Sequence, residues 1–299
     1  MVDAMSLPGL AGDLSVSPAV EVAADSDLQR ADGCGRFVLR GSEHGTCIED
    51  VFERSPVRIM FPRIRGRAVD EAVIVNTGGG VVGGDVLEFS VTALPGASVA
   101  VTSQAAERVY RALNEPAFIT TRLRACESAR LAWLPQETIV FNAARLHRIT
   151  DVDLTSGTEL LALEWIVLGR AAHGEVVDQG QIIDTWRVKK DNRLIWTDTF
   201  RVDDETFPSL SGKSLLANCT AIATLIYFGP FLNARLEVLR GVISSLGCRG
   251  AATLVNDLIV VRLAGVSSFE LGRALRSFLE QFESKAGSGP FKVPRMWSR

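Results

Sequence analysis

Residues 76–85 contain five glycines in ten positions, and stretches with the pattern of β-strands lie on both sides. Gly78, Gly80 and Gly83 match the G-x-G-x-x-G spacing of dinucleotide-binding loops, which requires a helix to follow so that its N-terminus can bind the pyrophosphate. Residues 86–92 instead alternate apolar and polar side chains, and a period of two predicts a strand. The segment therefore joins one strand to another, which argues against a dinucleotide-binding fold.

Much of the remaining chain shows short apolar runs separated by turn signals, which is typical of a mainly β protein. Residues 94–97 (LPGA) predict a type II turn, and residues 98–102 would return from it as the second strand of a hairpin. Another predicted hairpin joins residues 181–188 to residues 193–200. Residues 104–111 are rich in helix-forming side chains. The other predicted strands are residues 36–40, 57–61, 71–75, 117–122, 129–133, 138–141, 147–154, 159–168 and 258–263.

Convincing helical spacing appears only in the C-terminal third of the chain. Apolar residues recur at helical intervals across residues 232–246, and Gly247 is placed to end that helix. A second apolar stripe covers residues 271–282, with Ser267 and Glu270 in the positions of a capping box. The predicted fold class is therefore mainly β, with many short strands and a few helices.

The composition restricts the class of protein. A chain of 299 residues that is 47% hydrophobic can bury a large core, and a net charge of −3 argues against a nucleic-acid or anionic-membrane surface. The five cysteines are scattered without a C-x-x-C pair, which favours reduced thiols in a cytoplasmic protein. We find neither an apolar run of bilayer length nor a signal-peptide pattern. Residues 1–32 are predicted to be a flexible N-terminal extension, and residues 33–299 a single domain.

No complete catalytic constellation is found. The segment Gly212-Lys213-Ser214 lacks the first glycine of a P-loop, there is no G-x-S-x-G elbow, and the three histidines do not stand at metal-ligand spacings. His173 and Glu175 would point to one side of an extended segment, either in a solvated loop or at a weak, oxygen-rich metal site. We therefore predict a protein that is not an enzyme.

Acidic residues within the strand patterns are the more informative candidates. If the hairpin pairs Trp186 with Trp196, Asp184 lies opposite Asp198, and two facing carboxylates would raise a pKa or recruit a cation. A shifted register would remove that coincidence. Asp85, directly after the glycines, is either a turn residue or a carboxylate placed for function, and its sequence position is compatible with both.

Five segments, in order along the chain, resemble the UreD (also called UreH) family of urease accessory proteins. They are residues 79–85 (GGVVGGD), 102–111 (TSQAAERVYR), 133–139 (WLPQETI), 168–175 (LGRAAHGE) and 294–297 (PRMW). The resemblance spans about residues 35–299. The extension before residue 33 and the order Glu164-Trp165, which the family usually reverses, depart from the family pattern.

The resemblance implies a non-enzymatic scaffold for assembly of the urease nickel metallocentre. Such a protein docks on apo-urease, binds UreF and through UreF recruits the GTPase UreG, and UreD–UreF heterodimers can pair into a dimer. It also implies an open, right-handed helical arrangement of strands with a polar tunnel that conducts Ni²⁺ without binding it stably. Asp85, Glu175 and Glu137 are the carboxylates we assign to that path, and the tunnel itself comes from the resemblance.

An alternative class is a β-rich protein-binding module with no metal role. If the isolated protein binds nickel and loses that binding when acidic residues are replaced, the metal-handling scaffold is favoured over the binding module. The C-terminal aromatic residues leave a second choice open, because they either form part of a UreF-facing surface or close the core. They are Phe278, Phe282, Phe291 and Trp297.

Overall fold

The computed structural model describes residues 29–62, 70–285, 291 and 293–298. Within the predicted N-terminal extension, residues 1–28 lie outside the described residues, and Asp32 already begins the first strand. Neither described helix combines the length and the apolar character needed to cross a membrane.

Seventeen strands and two α-helices make up the described chain. The strands of the first half are β1 (Asp32–Ser42), β2 (Gly45–Arg54), β3 (Val57–Met60), β4 (Glu71–Asn76), β5 (Val86–Ala93), β6 (Ser98–Ser103), β7 (Glu107–Val109), β8 (Ala117–Ala125) and β9 (Arg130–Trp133). Those of the second half are β10 (Thr138–Val140), β11 (Arg145–Leu154), β12 (Glu159–Leu168), β13 (Gln181–Lys190), β14 (Arg193–Val202), β15 (Ala221–Phe228), β16 (Arg249–Val255) and β17 (Leu258–Gly265). The helices are α1 (Leu232–Ser244) and α2 (Ser268–Lys285).

The strands form a seven-stranded sheet A and a ten-stranded sheet B. Sheet A has the order β14-β13-β11-β8-β5-β1-β2, and its five inner strands run parallel. Sheet B follows the path β16-β17-β15-β12-β9-β6-β4-β3, with β4, β6, β9 and β12 parallel. Antiparallel strands complete both ends of each sheet.

The chain alternates between the sheets, and this alternation generates a β-solenoid of about four turns. Each turn contributes one parallel strand to sheet A and one to sheet B, in the pairs β1 with β4, β5 with β6, β8 with β9, and β11 with β12. The predicted mainly β class is confirmed.

A short third face connects the two sheets along one side of the solenoid. Strand β7 pairs in parallel with β10, and Val81 forms a parallel bridge to Val109. Strand β10 also pairs with the end of β12. We call this ladder of Val81, β7 and β10 the short face.

The main core lies between the sheets, and a second core lies between sheet B and the helices. Strand β12 is buried along nearly its whole length because both of its faces are covered. Leu160 belongs to the core between the sheets, whereas Leu161 packs toward the helices. The same alternation directs Glu164 into the space between the sheets and Trp165 toward the helix layer.

The C-terminal aromatic residues close the second core. Phe278, Phe282, Phe291 and Trp297 are at most 6% exposed. The indole Nε1 of Trp297 donates to the carbonyl of Leu134 at 2.8 Å. These side chains are covered within the chain itself, which corrects the hypothesis that they form a UreF-facing surface.

One local prediction, the hairpin at residues 94–97, was wrong. The turn at residues 94–97 forms, with the Ala97 N–H donating to the Leu94 carbonyl at 3.0 Å and Gly96 at φ 75°. It is a solenoid corner rather than a hairpin loop, since β5 and β6 lie in different sheets. Residues 104–111 contain strand β7 instead of a helix, because pairing with β10 supplies its backbone partners and overrides local propensity.

Candidate functional site

Four of the five segments that carry the family resemblance meet at the short face. Val81, from the glycine-rich segment, bridges Val109 of β7, and β7 pairs with β10. The N–H of Gly169 then donates to the carbonyl of Val140 at 2.8 Å. Backbone hydrogen bonds therefore bring together motif segments that are far apart in sequence.

The glycines of this site allow one backbone to lie directly against another. Gly80 has φ 141°, and a Cβ at this position would lie 2.7 Å from the carbonyl oxygen of Arg108. The hydroxyl of Tyr110 donates to the carbonyl of Gly79 at 3.1 Å. A side chain at residue 80 would force the glycine-rich segment away from β7.

Asp85 is a buried residue whose carboxylate ties two backbone segments together. One oxygen accepts the Ala31 N–H at 2.7 Å and the other accepts the Val82 N–H at 2.9 Å. The sequence left open whether Asp85 is a turn residue or a carboxylate placed for function, and these hydrogen bonds are those of a residue that stabilises the turn. A role for Asp85 on a nickel path stays a prediction.

Glu175 is held at the edge of the short face. It accepts hydrogen bonds from the Asn142 N–H at 3.1 Å, from the Arg170 N–H at 3.0 Å and from Arg170 Nε at 2.8 Å. The hydrogen bond from Arg170 lowers the pKa of Glu175 below its ordinary value. The guanidinium of Arg170 also lies 4.2 Å from the ring centre of Phe141.

Glu137 and His173 complete the set of side chains that the sequence singled out here. Burial raises the pKa of Glu137, whose backbone carbonyl accepts the Glu107 N–H at 2.8 Å. His173 is exposed at the end of a 3₁₀ turn, Ala171–His173. Among the described residues, no group of three or more His, Cys, Asp or Glu side chains is arranged to hold a metal ion.

A cavity of about 200 Å³ opens behind the glycine-rich segment and extends between the sheets. We call it the front cavity. Its described walls include the glycine loop at Gly79 and Gly80 and the polar side chains of Gln136 and Thr138. The Nε2 atom of Gln136 is buried without a hydrogen-bond partner, so a donor in this wall is left free.

Glu107 and Glu164 are the carboxylates among the described lining residues of the front cavity. Glu107 accepts hydrogen bonds from Asn76 Nδ2 at 3.0 and 3.1 Å. Burial raises the pKa of Glu107 to about 7, because desolvation disfavours its charged form more than the Asn76 hydrogen bond favours it. Near neutral pH this carboxyl is therefore present in both its protonated and its ionised form.

At its inner end the front cavity meets a buried charge cluster of Arg148, Glu164 and Asp184. Arg148 binds Asp184 through Nε at 2.8 Å and Nη2 at 2.7 Å, and it binds Glu164 through Nη1 at 2.7 Å. All three side chains are at most 8% exposed. Trp133 Nε1 donates to the other oxygen of Glu164 at 2.8 Å, and Arg148 Nη1 donates to Thr138 at 3.0 Å.

Burial sets the protonation behaviour of this cluster. Desolvation raises the pKa of Glu164 despite the neighbouring guanidinium. For Arg148, burial alone would lower the pKa, but Asp184 and Glu164 outweigh it and the pKa is raised. Arg148 is therefore a permanent positive charge, and with both acids ionised the cluster carries a net charge of −1.

The expected pairing of Asp184 with Asp198 is wrong. In the β13–β14 hairpin, Asp184 stands opposite Phe200 and Trp186 opposite Asp198. The strands extend to a two-residue turn at Asp191 and Asn192, and a register shift next to Val188 moves the pairing away from the predicted one. Asp198 instead forms an ion pair with Arg262 at 2.6 Å.

A second cavity, of about 360 Å³, lies on the other side of the charge cluster. We call it the rear cavity. Glu164 lines both cavities, whereas Arg148 lines the front cavity and Asp184 the rear cavity. Phe200 and Arg262 also belong to the wall of the rear cavity. The three charged side chains thus form the partition between the two cavities, whose walls also contain apolar side chains such as Phe89 and Phe200.

Sequence reasoning missed Glu107, Arg148 and Glu164 as site residues. A signal for Arg148 was present, because it occupies an inward position in the alternating pattern of β11, between Leu146 and Thr150. An arginine at such a position requires a buried partner. The partners lie on β12 and β13, and no local pattern identifies them.

Comparison with known proteins agrees with the motif segments that form the short face. The sequence model of the UreD urease accessory protein family matches residues 31–298. A urease accessory protein UreD of Rhizobium etli is 37% identical over 277 residues, covering 93% of this chain and 98% of its own. Another from Chelativorans is 36% identical over 280 residues, covering 94% and 98%. One from Xanthobacter autotrophicus is 38% identical over 282 residues, covering 94% and 95%. The chain belongs to the UreD urease accessory protein family.

Proposed function

We propose that this chain acts in the cytoplasm as a non-enzymatic scaffold for urease maturation and passes Ni²⁺ through its interior. It docks on apo-urease, binds UreF and through UreF recruits the GTPase UreG, and its heterodimer with UreF pairs into a dimer. Membership of the UreD family supports the role in urease maturation. The carboxylates that line the two cavities, Glu107, Glu164 and Asp184, support the passage of a cation.

The observation that carries this proposal is the front cavity with its two carboxylates. A cation inside a protein needs oxygen atoms to replace its hydration shell. Carboxylates, amides and hydroxyls bind a divalent metal more weakly and reversibly than a closed cage of thiolates or imidazoles. Glu107, Gln136 and Thr138 supply such groups along one wall, and successive weak sites permit transit rather than storage.

The entrance of the cavity is the proposed receiving point for the metal. Gly79 and Gly80 contribute no side chains to the wall of the cavity, and Glu107 lines the same cavity. At neutral pH a carboxyl with a pKa near 7 can release its proton when the metal arrives. The exposed side chains of Arg108, Tyr110 and Arg170 surround the same region and are the proposed contact surface for a partner.

The test of the conduit is Glu107→Ala in a strain that co-expresses urease and the other accessory proteins. We expect nickel per urease active site to fall several-fold, while pull-down of UreF and apo-urease is unchanged. The matched control is Glu88→Ala, because Glu88 is also an acid on a strand but lies on the outer face, where it pairs with Arg122. Normal nickel loading in a stable Glu107→Ala variant would contradict the conduit.

A binding module without a metal role is the alternative, and the geometry of Asp85 and Glu175 favours it. Both carboxylates are engaged by backbone N–H groups of this chain, as structural residues would be. On this alternative, alanine variants of Asp85 or Glu175 reduce stability and partner binding together. On the conduit proposal, Glu107→Ala reduces nickel loading alone.

A further inference from the structure

The partition between the two cavities is made of charged side chains rather than of apolar ones. Glu164 faces both cavities, and the Arg148 guanidinium joins it to Asp184. A passage through this partition would run past two carboxylates, which attract a cation. The group fixed between those carboxylates is itself a cation.

We propose that Arg148 is a gate: its guanidinium closes the passage between the front and rear cavities by occupying, as a fixed positive charge, the space between Glu164 and Asp184. This inference rests on the proposed conduit and adds the residue that controls it. A divalent ion entering the front cavity meets a guanidinium that repels it and that already uses the ligands the ion needs.

The closed position is defined by four hydrogen bonds. Two join Arg148 to Asp184, one joins it to Glu164 and one joins it to Thr138, all at 2.7–3.0 Å. The Arg148 side chain is 2% exposed. A guanidinium bound on three sides with this geometry does not leave space for a second cation.

The anchors of the gate lie on different sheets, and this arrangement indicates how it opens. Arg148 and Asp184 belong to neighbouring strands of sheet A, whereas Glu164 belongs to β12 of sheet B. A small separation of the sheets therefore breaks the bonds to Glu164 and to Thr138 of β10, and leaves the bidentate pair with Asp184 intact. Arg148 then stays with its own sheet, and Glu164 becomes free to bind the incoming ion.

The first experiment measures nickel binding to the purified chain by equilibrium dialysis. Arg148→Met keeps an unbranched, flexible side chain up to about the position of Nε and removes the guanidinium charge. The two released carboxylates should then bind about one additional Ni²⁺, with affinity at least tenfold above that of the unmodified chain. Arg148→Lys retains the charge and should bind no additional nickel. In the triple variant Arg148→Met, Glu164→Gln, Asp184→Asn the added binding should disappear.

A folded Arg148→Met variant that binds no more nickel than the unmodified chain would overturn the gate. So would added binding that persists in the triple variant. Because two unpaired buried carboxylates are destabilising, Arg148→Met can be unfolded in metal-free buffer. In that case nickel, and not magnesium, should restore the folded state. Failure to refold in nickel while the triple variant is folded overturns the proposal as well.

A second measurement separates the gate from the conduit. Nickel held by the released carboxylates should lower nickel per urease active site at least threefold in cells that carry Arg148→Met. If the variant gains nickel binding while urease loading is unchanged, the conduit fails and the gate describes only a latent ion site. If loading falls without any gain of nickel binding, the gate is wrong and the conduit stands.

Discussion

At Asp85 one carboxylate satisfies two backbone N–H groups that are 51 residues apart in the chain, those of Ala31 and Val82. The side chain is 5% exposed, so water cannot replace either hydrogen bond. The same residue is the last of the glycine-rich motif. The Asp85 carboxylate therefore has a structural role: it holds the glycine-rich loop, which lines the front cavity.

Asp85→Ala should lower the free energy of unfolding by about 2–3 kcal/mol, because two buried donors lose their acceptor. Asp85→Asn should cost nearly as much, since the amide offers one oxygen and turns an NH₂ group toward an N–H donor. Urea denaturation followed by fluorescence measures both. Asp153→Ala, which removes an exposed acid from sheet A, is the control and should be neutral. An Asp85→Ala variant as stable as this control would contradict the assignment.

Glu107 makes the stability of the protein depend on pH. Its pKa is about 7 in the folded protein against an ordinary value of 4.5, so the folded state binds the proton more tightly than the unfolded state. The contribution of Glu107 to the free energy of unfolding is therefore fully present below pH 4.5 and is lost as the pH rises through 7. The loss is on the order of 3 kcal/mol.

Glu107→Gln removes this titration. Relative to the variant, the unmodified chain should lose about 3 kcal/mol of unfolding free energy between pH 4.5 and pH 8. Urea denaturation of both proteins across that range measures the difference. Parallel pH profiles for the two proteins would show that Glu107 has an ordinary pKa.

At the scale of elements, β12 and α2 determine how the solenoid is covered. Strand β12 is the last parallel strand of sheet B, and residues on alternating sides of it enter two different cores. Helix α2 and the C-terminal segment cover the outer face of sheet B. Trp297 joins this layer to the sheet through its ring contact with Trp165 and its hydrogen bond to Leu134.

Trp297→Ala should therefore lower the free energy of unfolding by about 3–5 kcal/mol, because it opens a cavity and leaves the Leu134 carbonyl without its donor. Phe269→Ala on α2 is the matched control, since this aromatic side chain is 77% exposed and should cost less than about 0.5 kcal/mol. Thermal and urea denaturation measure both. A loss of less than about 1 kcal/mol in the free energy of unfolding for Trp297→Ala would contradict the assignment of the C-terminal aromatic residues to the core.

At the scale of the whole molecule, solenoid winding places strands from successive turns side by side. Arg148, Asp184 and Glu164 lie on β11, β13 and β12, and each strand is separated from the next by a crossing between sheets. The partition therefore exists only once the fourth turn, β11 with β12, is stacked with β13. The conduit and its gate are properties of this stacking rather than of any motif.

The sequence by itself determined most of the strands and both helices, because side-chain alternation is a local property. It did not identify β2, β7, β15 or β16. The period-two pattern of residues 86–92 predicted strand β5, and the 3.6-residue spacing near Leu271 predicted helix α2. The motif segments identified the family. Periodicity also assigns a face to each residue, which is why Arg148 could have been recognised as pointing inward.

Only the tertiary structure decided which strands pair and which charges meet. A turn such as residues 94–97 serves equally as a hairpin loop or as a solenoid corner, and the parallel partners of β5 and β6 decide between the two. The two-residue turn and the register shift of the β13–β14 hairpin together place Asp184 opposite Phe200 rather than Asp198, and the Asp184 carboxylate pairs with Arg148. Pairing between distant strands depends on packing summed over the whole core, and no short segment of sequence contains that sum.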